Sequence, residues 1–420
     1  MRSTAAVLGS WDTKRDEMRY MRSRLENAGI AVVLVDVSTV VTEAFDDANG
    51  YSAQDIRRPL ENEWRELAGA GRGAKIDFMA RATRDFVVLL QERGQIDGVI
   101  SAGGLQNTTL ATAAMKALPI GFPKVMATTV ATGRRSFMSV VGDRDVVVVP
   151  ALADMAGLNF ATRSTLNTAC DCLIGLMSNR TELQRPDRPV VGLTLMGVTN
   201  AGAAGAIHQL ERHGFEAVGF HATGAGGGVL EEFVRTGLVD AVLDMNLHEI
   251  VNECFQGGYS FGVRNRLSAA IERGIPLVVT PGGLDFVDYM VNEFEPGLAG
   301  RKYVLHNGTL AHIKLTVDEA AMVGGVVGER LRGARVPVRL VVPTAGLRAD
   351  TDPGEPMHDP PVDEALVQAI VEHAGDGVEV ERVAMNLNTE EFGALVADRM
   401  IEAFDHAGAR PSTRQEVGSL

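Results

Sequence analysis

Three stretches in the first half of this chain combine the residue types that hold a phosphate. They are Gly9-Ser10-Trp11-Asp12-Thr13-Lys14, Ser101-Ala102-Gly103-Gly104-Leu105-Gln106-Asn107-Thr108-Thr109 and Thr128-Thr129-Val130-Ala131-Thr132-Gly133, each following a short apolar run. Glycine lets a phosphate oxygen approach the main chain, threonine caps the next helix and donates a hydrogen bond, and Lys14 adds positive charge. Gly9, Asp12, Thr13, Lys14, Gly103, Gly104, Thr108, Thr129, Thr132 and Gly133 are therefore the residues expected to line a phosphate and ribose site. A single loop of this kind serves equally as an ordinary strand-to-helix turn; three in one half favour binding. No G-x-x-x-x-G-K-[ST] sequence occurs, which disfavours a Walker-type NTPase. Trp11 and Phe137 are candidates to stack on a base.

The second half carries His221-Ala222-Thr223-Gly224-Ala225-Gly226-Gly227-Gly228, in which Thr223, Gly224, Gly226 and Gly227 are expected to form another anion loop. Val229 stands where the third glycine of G-x-G-x-x-G belongs, so a nicotinamide cofactor is only a weak alternative. Asp244 reads as a ribose acceptor or an ordinary strand-end acid, and Asp285, after Thr280-Pro281-Gly282-Gly283, as a candidate Mg²⁺ ligand. His221 and His306 are the candidate proton-transfer groups, each alone being more often a hydrogen-bonded structural histidine. His248-Glu249-Ile250-Val251-Asn252 lacks the second histidine of the zinc-protease motif and fails as one. No serine lies in a G-x-S-x-G elbow, and Cys254 sits among apolar neighbours. Two chemistries stay open: nucleotide binding at the N-terminal loops, or acid–base work by His221 and His306 on a carboxylated or phosphorylated small molecule, in the C-terminal domain or an interdomain cleft.

Elements must hold these loops. Apolar β-branched runs alternate with helical patterns throughout, the signature of parallel sheets covered by helices. Strands are expected at Ala5–Leu8, Ala31–Val37, Gly98–Ser101, Lys124–Ala127 and Val146–Val149, with helices over Asp16–Ala28 and Ile76–Arg93. After a polar passage, Ser178 to Pro189, strands are expected again at Val190–Leu195, Ala217–His221, Ala241–Met245, Leu277–Thr280, Arg339–Val342 and Val380–Met385. The reading is α/β, two Rossmann-like doubly wound domains with mostly parallel sheets over 1–180 and 187–407, and a fraying tail over 408–420.

Composition narrows the partners. Acidic residues number 54 against 40 basic ones, and the net charge of −14 repels nucleic acid and anionic membranes. A phosphate must then be held by local dipoles, a few cations or a metal. Three cysteines, no secretory leader and no long apolar stretch point to the cytoplasm.

Taken together, Gly9 to Lys14, Met126 to Gly133, Asp154-Met-Ala-Gly157-Leu-Asn159, Gly197-Val-Thr-Asn200, Phe220-His221-Ala-Thr223-Gly224-Ala-Gly226-Gly227 and His306-Asn307 resemble, in this order, the Tm-1-like ATP-binding family, UPF0261. The resemblance spans nearly the whole chain, and F-H-A-T-G with its trailing glycines is its most specific part. It implies two Rossmann-like domains, ATP bound with Mg²⁺ in the N-terminal one, and a homodimer or higher homo-oligomer. Here Gly103-Gly104-Leu105-Gln106-Asn107-Thr108 replaces the family's usual G-G-S-G-G-T, and Arg15 follows Lys14 where D-T-K-G is usual.

Overall fold

The structure, a computed structural model of the 420-residue chain, describes residues 2–40, 44–131, 141–179, 183–255, 263–291, 300–334 and 336–408. Thr132, Gly133, Phe137 and the tail from 409 onward lie outside the described residues. The chain divides into two compact units, Met1–Leu183 and Gln184–Leu420, within the polar passage that separates the two strand series.

In the N-terminal unit, β1 (Thr4–Gly9), β2 (Ala31–Asp36), β3 (Gly98–Gly103), β4 (Lys124–Thr128) and β5 (Val147–Pro150) form a parallel sheet in the order β2-β1-β3-β4-β5. β3 and β4 are buried at every position, because helices cover both faces, and so they read as mostly apolar runs, with Ser101, Lys124 and Thr128 as buried polar exceptions. The helices α1 (Trp11–Asn27), α2 (Ala53–Arg57), α3 (Glu61–Glu66), α4 (Arg72–Glu92), α5 (Leu105–Ala117) and α6 (Phe160–Ser178) supply the cover. Met18, Met21 and Leu25 of α1 pack with Leu166 and Leu173 of α6 on one face; Phe78 and Val87 of α4 pack with Leu110 and Met115 of α5 on the other. The strand order reverses between β1 and β3, so the loops after these two strands open a crevice at the carboxyl edge.

The C-terminal unit is larger. Its strands β6 (Val190–Leu195), β7 (Glu216–His221), β8 (Ala241–Asn246) and β9 (Leu277–Gly282) join the later β13 (Val338–Pro343) and β14 (Val378–Val383) in a parallel sheet ordered β14-β13-β9-β8-β6-β7. Between β9 and β13 the chain makes a second, antiparallel sheet from β10 (Phe286–Met290), β11 (Tyr303–Leu305) and β12 (Leu310–Lys314), in the order β10-β12-β11. The helices are α7 (Asn200–Arg212), α8 (Ala225–Arg235), α9 (His248–Phe255), α10 (Ser268–Arg273), α11 (Val317–Leu331), α12 (Pro360–Ala374) and α13 (Glu390–His406). Here the order reverses between β6 and β8. No described helix is long and apolar enough to cross a membrane.

One face of the larger sheet is covered by α7 and α13, which meet backbone to backbone. A Cβ on Gly393 would overlap the Gly202 carbonyl oxygen, and one on Gly205 would overlap that of Glu390. These helices can approach only because neither carries a side chain there. Gly393→Ala is accordingly expected to cost about 1–3 kcal/mol, the range for overpacking a closed core, read as a lower urea midpoint with an unchanged slope.

Candidate functional site

The loops after β1 and β3 share a cavity of about 680 Å³ at the N-terminal switch point, lined by Ser10, Asp12, Thr13, Lys14, Thr39, Val40, Ala70, Arg72, Lys75, Gly104, Leu105, Gln106 and Asn107. Of the residues expected here, Asp12, Thr13, Lys14 and Gly104 line it. Gly9, Gly103 and Thr108 lie behind its wall. A Cβ on Gly9 would press on the Met18 sulfur at 2.7 Å and one on Gly103 on the Asn107 Cβ at 2.8 Å, while the Thr108 hydroxyl meets that of Thr128 at 2.7 Å. Thr129 reaches the rim only indirectly, its N–H bonded to the Gly103 carbonyl at 3.2 Å. Trp11 is buried against Phe45 with its ring N–H on the Ala44 carbonyl, so it does not stack on a ligand.

The two helix N-termini at this cavity differ in what remains free on them. In the first turn of α1 every N–H is engaged: Ser10 to Asn107 Oδ1 at 3.0 Å, Trp11 to Asp36 Oδ1 at 2.9 Å, Asp12 to Ser38 Oγ at 3.5 Å, and Thr13 and Lys14 to the Ser10 carbonyl. This loop therefore offers side chains rather than amides. The first turn of α5, which begins after Gly104, has no side-chain cap, and the Leu105 and Gln106 N–H groups have no partner among the described residues. An uncapped N-terminus carries partial positive charge and seeks an anion.

Cations absent from the sequence-based expectation complete the site. Arg72 and Lys75 open α4 and join Lys14 around the cavity, and Asp12 is the one carboxylate that lines it. Among the described residues none of these three cations is paired with a carboxylate. Arg72 instead donates through Nε and Nη2 to Gln106 Oε1 at 3.2 and 2.6 Å, while Gln106 Nε2 donates to Thr39 Oγ1 at 3.1 Å. Gln106 and Asn107, the bulky departures in the second loop, thus have definite tasks. Gln106 bridges Arg72 to the β2 loop, and Asn107 ties the β1 loop to β3, its amide donating to Ser101 Oγ at 2.9 Å and the Ala102 carbonyl at 2.8 Å.

The glycine cluster of the C-terminal unit is built differently. Gly226, Gly227 and Gly228 lie inside α8, not in a loop, and Gly224 precedes the helix with φ of 117°. The N–H groups of Gly224 and Gly227 donate to Glu249 Oε1 at 3.3 and 3.1 Å, so a side chain of the protein already holds the place of a bound anion. A Cβ on Gly227 would come within 2.6 Å of both Arg266 Nε and Glu249 Oε1. Thr223 bonds to His221 Nδ1 at 3.0 Å. These glycines serve packing rather than phosphate.

Arg266 is the hub of that packing. Fully buried, it donates to Asp244 at 2.8 and 2.9 Å, to Glu231 at 3.2 Å, to Glu249 at 3.3 Å and to the Asn246 carbonyl. Burial opposes its charge, and the three carboxylates outweigh burial and hold it protonated. Burial pushes the Glu231 carboxyl up, against Arg266 and the N–H groups of Ala269 and Leu267. The Leu267 N–H, on a residue with φ of 74°, is anchored by Glu231 at 2.6 Å. Asp244 is thus a structural acid rather than a ribose acceptor.

Asp285 is not placed as a metal ligand either. It is fully buried and accepts from Lys314 Nζ at 2.8 Å and Arg348 Nε at 3.1 Å; burial would raise its pKa, but the two cations pull it well below the usual carboxylate range. Among the described residues no group of three or more His, Cys, Asp or Glu side chains could hold a metal ion. His221 ends the edge strand β7 exposed, whereas His306 stacks on His312 at 4.8 Å. No described contact brings the two expected proton-transfer groups together.

Fold and cavity thus define a two-unit α/β protein with doubly wound parallel sheets and a cationic crevice at the N-terminal switch point. Residues 3–182 match the N-terminal domain, and residues 188–404 the C-terminal domain, of a family described as "Uncharacterised protein family (UPF0261)". The chain belongs to this family. A UPF0261 protein of Clostridium tetani is 32% identical over 417 residues, covering 96% of this chain and 100% of the relative. The ToMV resistance protein Tm-1(GCR237) of Solanum lycopersicum is 29% identical over 439 residues, covering 98% of this chain and 58% of the tomato protein. Among solved structures, the spinosyn rhamnosyltransferase SpnG complexed with thymidine diphosphate is similar over 97% of this chain and 96% of its own, at 12% identity and a TM-score of 0.20.

Arg266→Met leaves three buried carboxylates without their cation and is expected to destabilise the chain by about 3–5 kcal/mol in chemical denaturation. The unpaired carboxylates then bind protons in the folded state at a pH where the unfolded chain does not. The deficit should therefore narrow as pH falls below about 6.

Proposed function

We propose that the N-terminal unit binds ATP with Mg²⁺ in the crevice between the β1 and β3 loops. The observation that carries this reading is the charge left over there. Lys14, Arg72 and Lys75, unpaired with carboxylates among the described residues, surround the uncapped first turn of α5 in a protein of net charge −14. Arg72 is exposed and Lys14 and Lys75 are half-buried, so water solvates them in the free protein, and their field adds to that of the free amides in favouring an anion there. A polyphosphate fits three cations and a helix N-terminus better than a single carboxylate does.

In this reading Leu105 and Gln106 N–H groups meet the phosphates, Lys14, Arg72 and Lys75 offset their charge, and Gly104 leaves the main chain open to them. Asp12, whose Oδ1 accepts from Ser38 Oγ at 3.2 Å, would hold Mg²⁺ against the phosphate oxygens, the usual arrangement of one carboxylate with substrate phosphate. Val40 and Leu105, apolar and exposed on the cavity wall, offer a surface for the base. The ligand is abundant in the cytoplasm, where we place the protein.

Calorimetric titration of the whole chain with MgATP should show saturable binding that weakens on chelation of Mg²⁺. Lys14→Ala and Arg72→Ala should each weaken it about tenfold or more, the loss expected for one charge-assisted hydrogen bond, while His221→Ala should leave it unchanged. Absence of heat with ATP, ADP and other nucleotides at millimolar concentration would remove the reading.

A further inference from the structure

The small antiparallel sheet of the C-terminal unit presents an unusual face. In register, Phe286 stands opposite Lys314, and His312 opposite both Asp288 and Val304, so all of these side chains lie on one side of β10, β12 and β11. That side is largely buried despite its polarity: Asp288 is 2% exposed and His312 4%. Four rings stack in sequence across it. His248 lies 4.3 Å from Phe286, Phe286 4.4 Å from His312, and His312 4.8 Å from His306, which reaches solvent. The Arg348 guanidinium lies over the Phe286 ring at 4.4 Å. His248 itself opens α9 after β8, at the switch point of the large sheet, where ligands of such folds bind.

This buried stack holds polar atoms left without partners. Arg348 spends Nε on Asp285 and Nη1 on Asp350, but Nη2 is buried and has no hydrogen-bond partner among the described residues. His248 bonds through Nδ1 to the Gly283 carbonyl at 2.8 Å, and its buried Nε2 has no hydrogen bond among the described residues, Asp288 Oδ1 being 3.6 Å away. His312, 4% exposed, meets Phe286 and His306 through its ring faces. Unpaired polar atoms at such depth are rare in native proteins and point to a missing partner. The surplus is of donors and cationic groups. Asp288 faces His248 and His312, while Asp285, Asp350 and Asp363 are taken up by Nε and Nη1 of Arg348 and by Lys314.

We propose that the C-terminal unit carries a second ligand site, for a small oxyanion such as a carboxylate or phosphate, in which Arg348 Nη2 and His312 hold the anion and His306 closes the solvent end. His248, with Asp288 beside it, stands at the buried end as a proton-carrying group. The charges around His312 agree with this. Burial, then Arg348, His248 and His306, push its pKa down to about 3 against the pull of Asp288, the signature of a positive pocket. Burial also lowers His248, but nearby Asp288, with the Gly283 carbonyl and Glu249, raises it overall. Two imidazoles driven in opposite directions are suited to giving and taking a proton. This pairing differs from His221 with His306, since His221 has no part in the stack.

The test uses the whole chain carrying Lys14→Ala and Arg72→Ala, so that the N-terminal crevice does not contribute and the outcome is independent of ATP binding. Sulfate and acetate, tetrahedral and planar probes whose charge is fixed between about pH 6 and pH 8, the range in which imidazoles titrate, are titrated calorimetrically. At least one should bind in the millimolar range or tighter, strengthen as pH falls, and weaken about tenfold in both His312→Gln and the surface variant His306→Ala. No binding of either probe, affinity flat with pH, or binding untouched by both substitutions would overturn the proposal.

Discussion

A main-chain N–H at the end of a parallel strand is a donor that something must satisfy, and the decisive question in this protein is what has claimed each one. Both sheets place helix N-termini at their switch points, the geometry that makes such folds bind anions. At α1 the donors go to Asn107, Asp36, Ser38 and the Ser10 carbonyl. At α8 they go to Glu249. Only at α5, among these three, does no described side chain accept from a first-turn N–H, and its end opens on the cavity, shared with α1, around which cations gather. Glycine content does not separate the three; the presence or absence of an internal acceptor does.

The internal acceptors have their own logic. Glu249 could not lie beneath the glycines of α8 unless its charge were answered, and Arg266 answers it together with Asp244 and Glu231. A buried arginine with three carboxylates adds little stability relative to an apolar replacement, but it tolerates no single loss of the cation. Such a network fixes geometry. It ties β8, α8, α9 and the turn at Leu267 to one point, which leaves the loops of the C-terminal switch point rigid and the polar stack around Phe286 in a fixed place.

The parallel framework was legible because double burial writes itself into sequence. Strands such as β3 and β4 are apolar at nearly every position and were placed within two residues of their ends; β14, an edge strand alternating Glu379, Val380 and Glu381, was expected two residues late. The antiparallel sheet was not read. Its Phe286-Val287-Asp288-Tyr289 and His312-Ile313-Lys314 alternate like half-exposed strands, yet the polar side is buried against Arg348 and His248. The first and second loops that line the N-terminal cavity were read from the sequence, but Arg72 and Lys75 were not. They belong to a helix start about thirty residues before the second loop and nearly sixty after the first, and only the fold brings them near. A glycine run followed by an acid more than twenty residues later carries no sign that the acid will fill the anion's place.

If the N-terminal crevice binds a polyphosphate as proposed, its electrostatic setting would supply the selectivity. A protein of net charge −14 repels anions at long range, so an incoming polyphosphate gains nothing from the general field. Attraction begins only within about a Debye length, roughly 8–10 Å at physiological salt, where Lys14, Arg72 and Lys75 outnumber Asp12 on the cavity wall. The same screening weakens their hold on a monoanion, which can engage few donors at once. A chain of phosphates would engage the amides of α5 and the three side chains together. A divalent cation beside Asp12 would then offset the repulsion among the phosphates themselves, which is why charge and metal dependence belong to one physical account of this crevice.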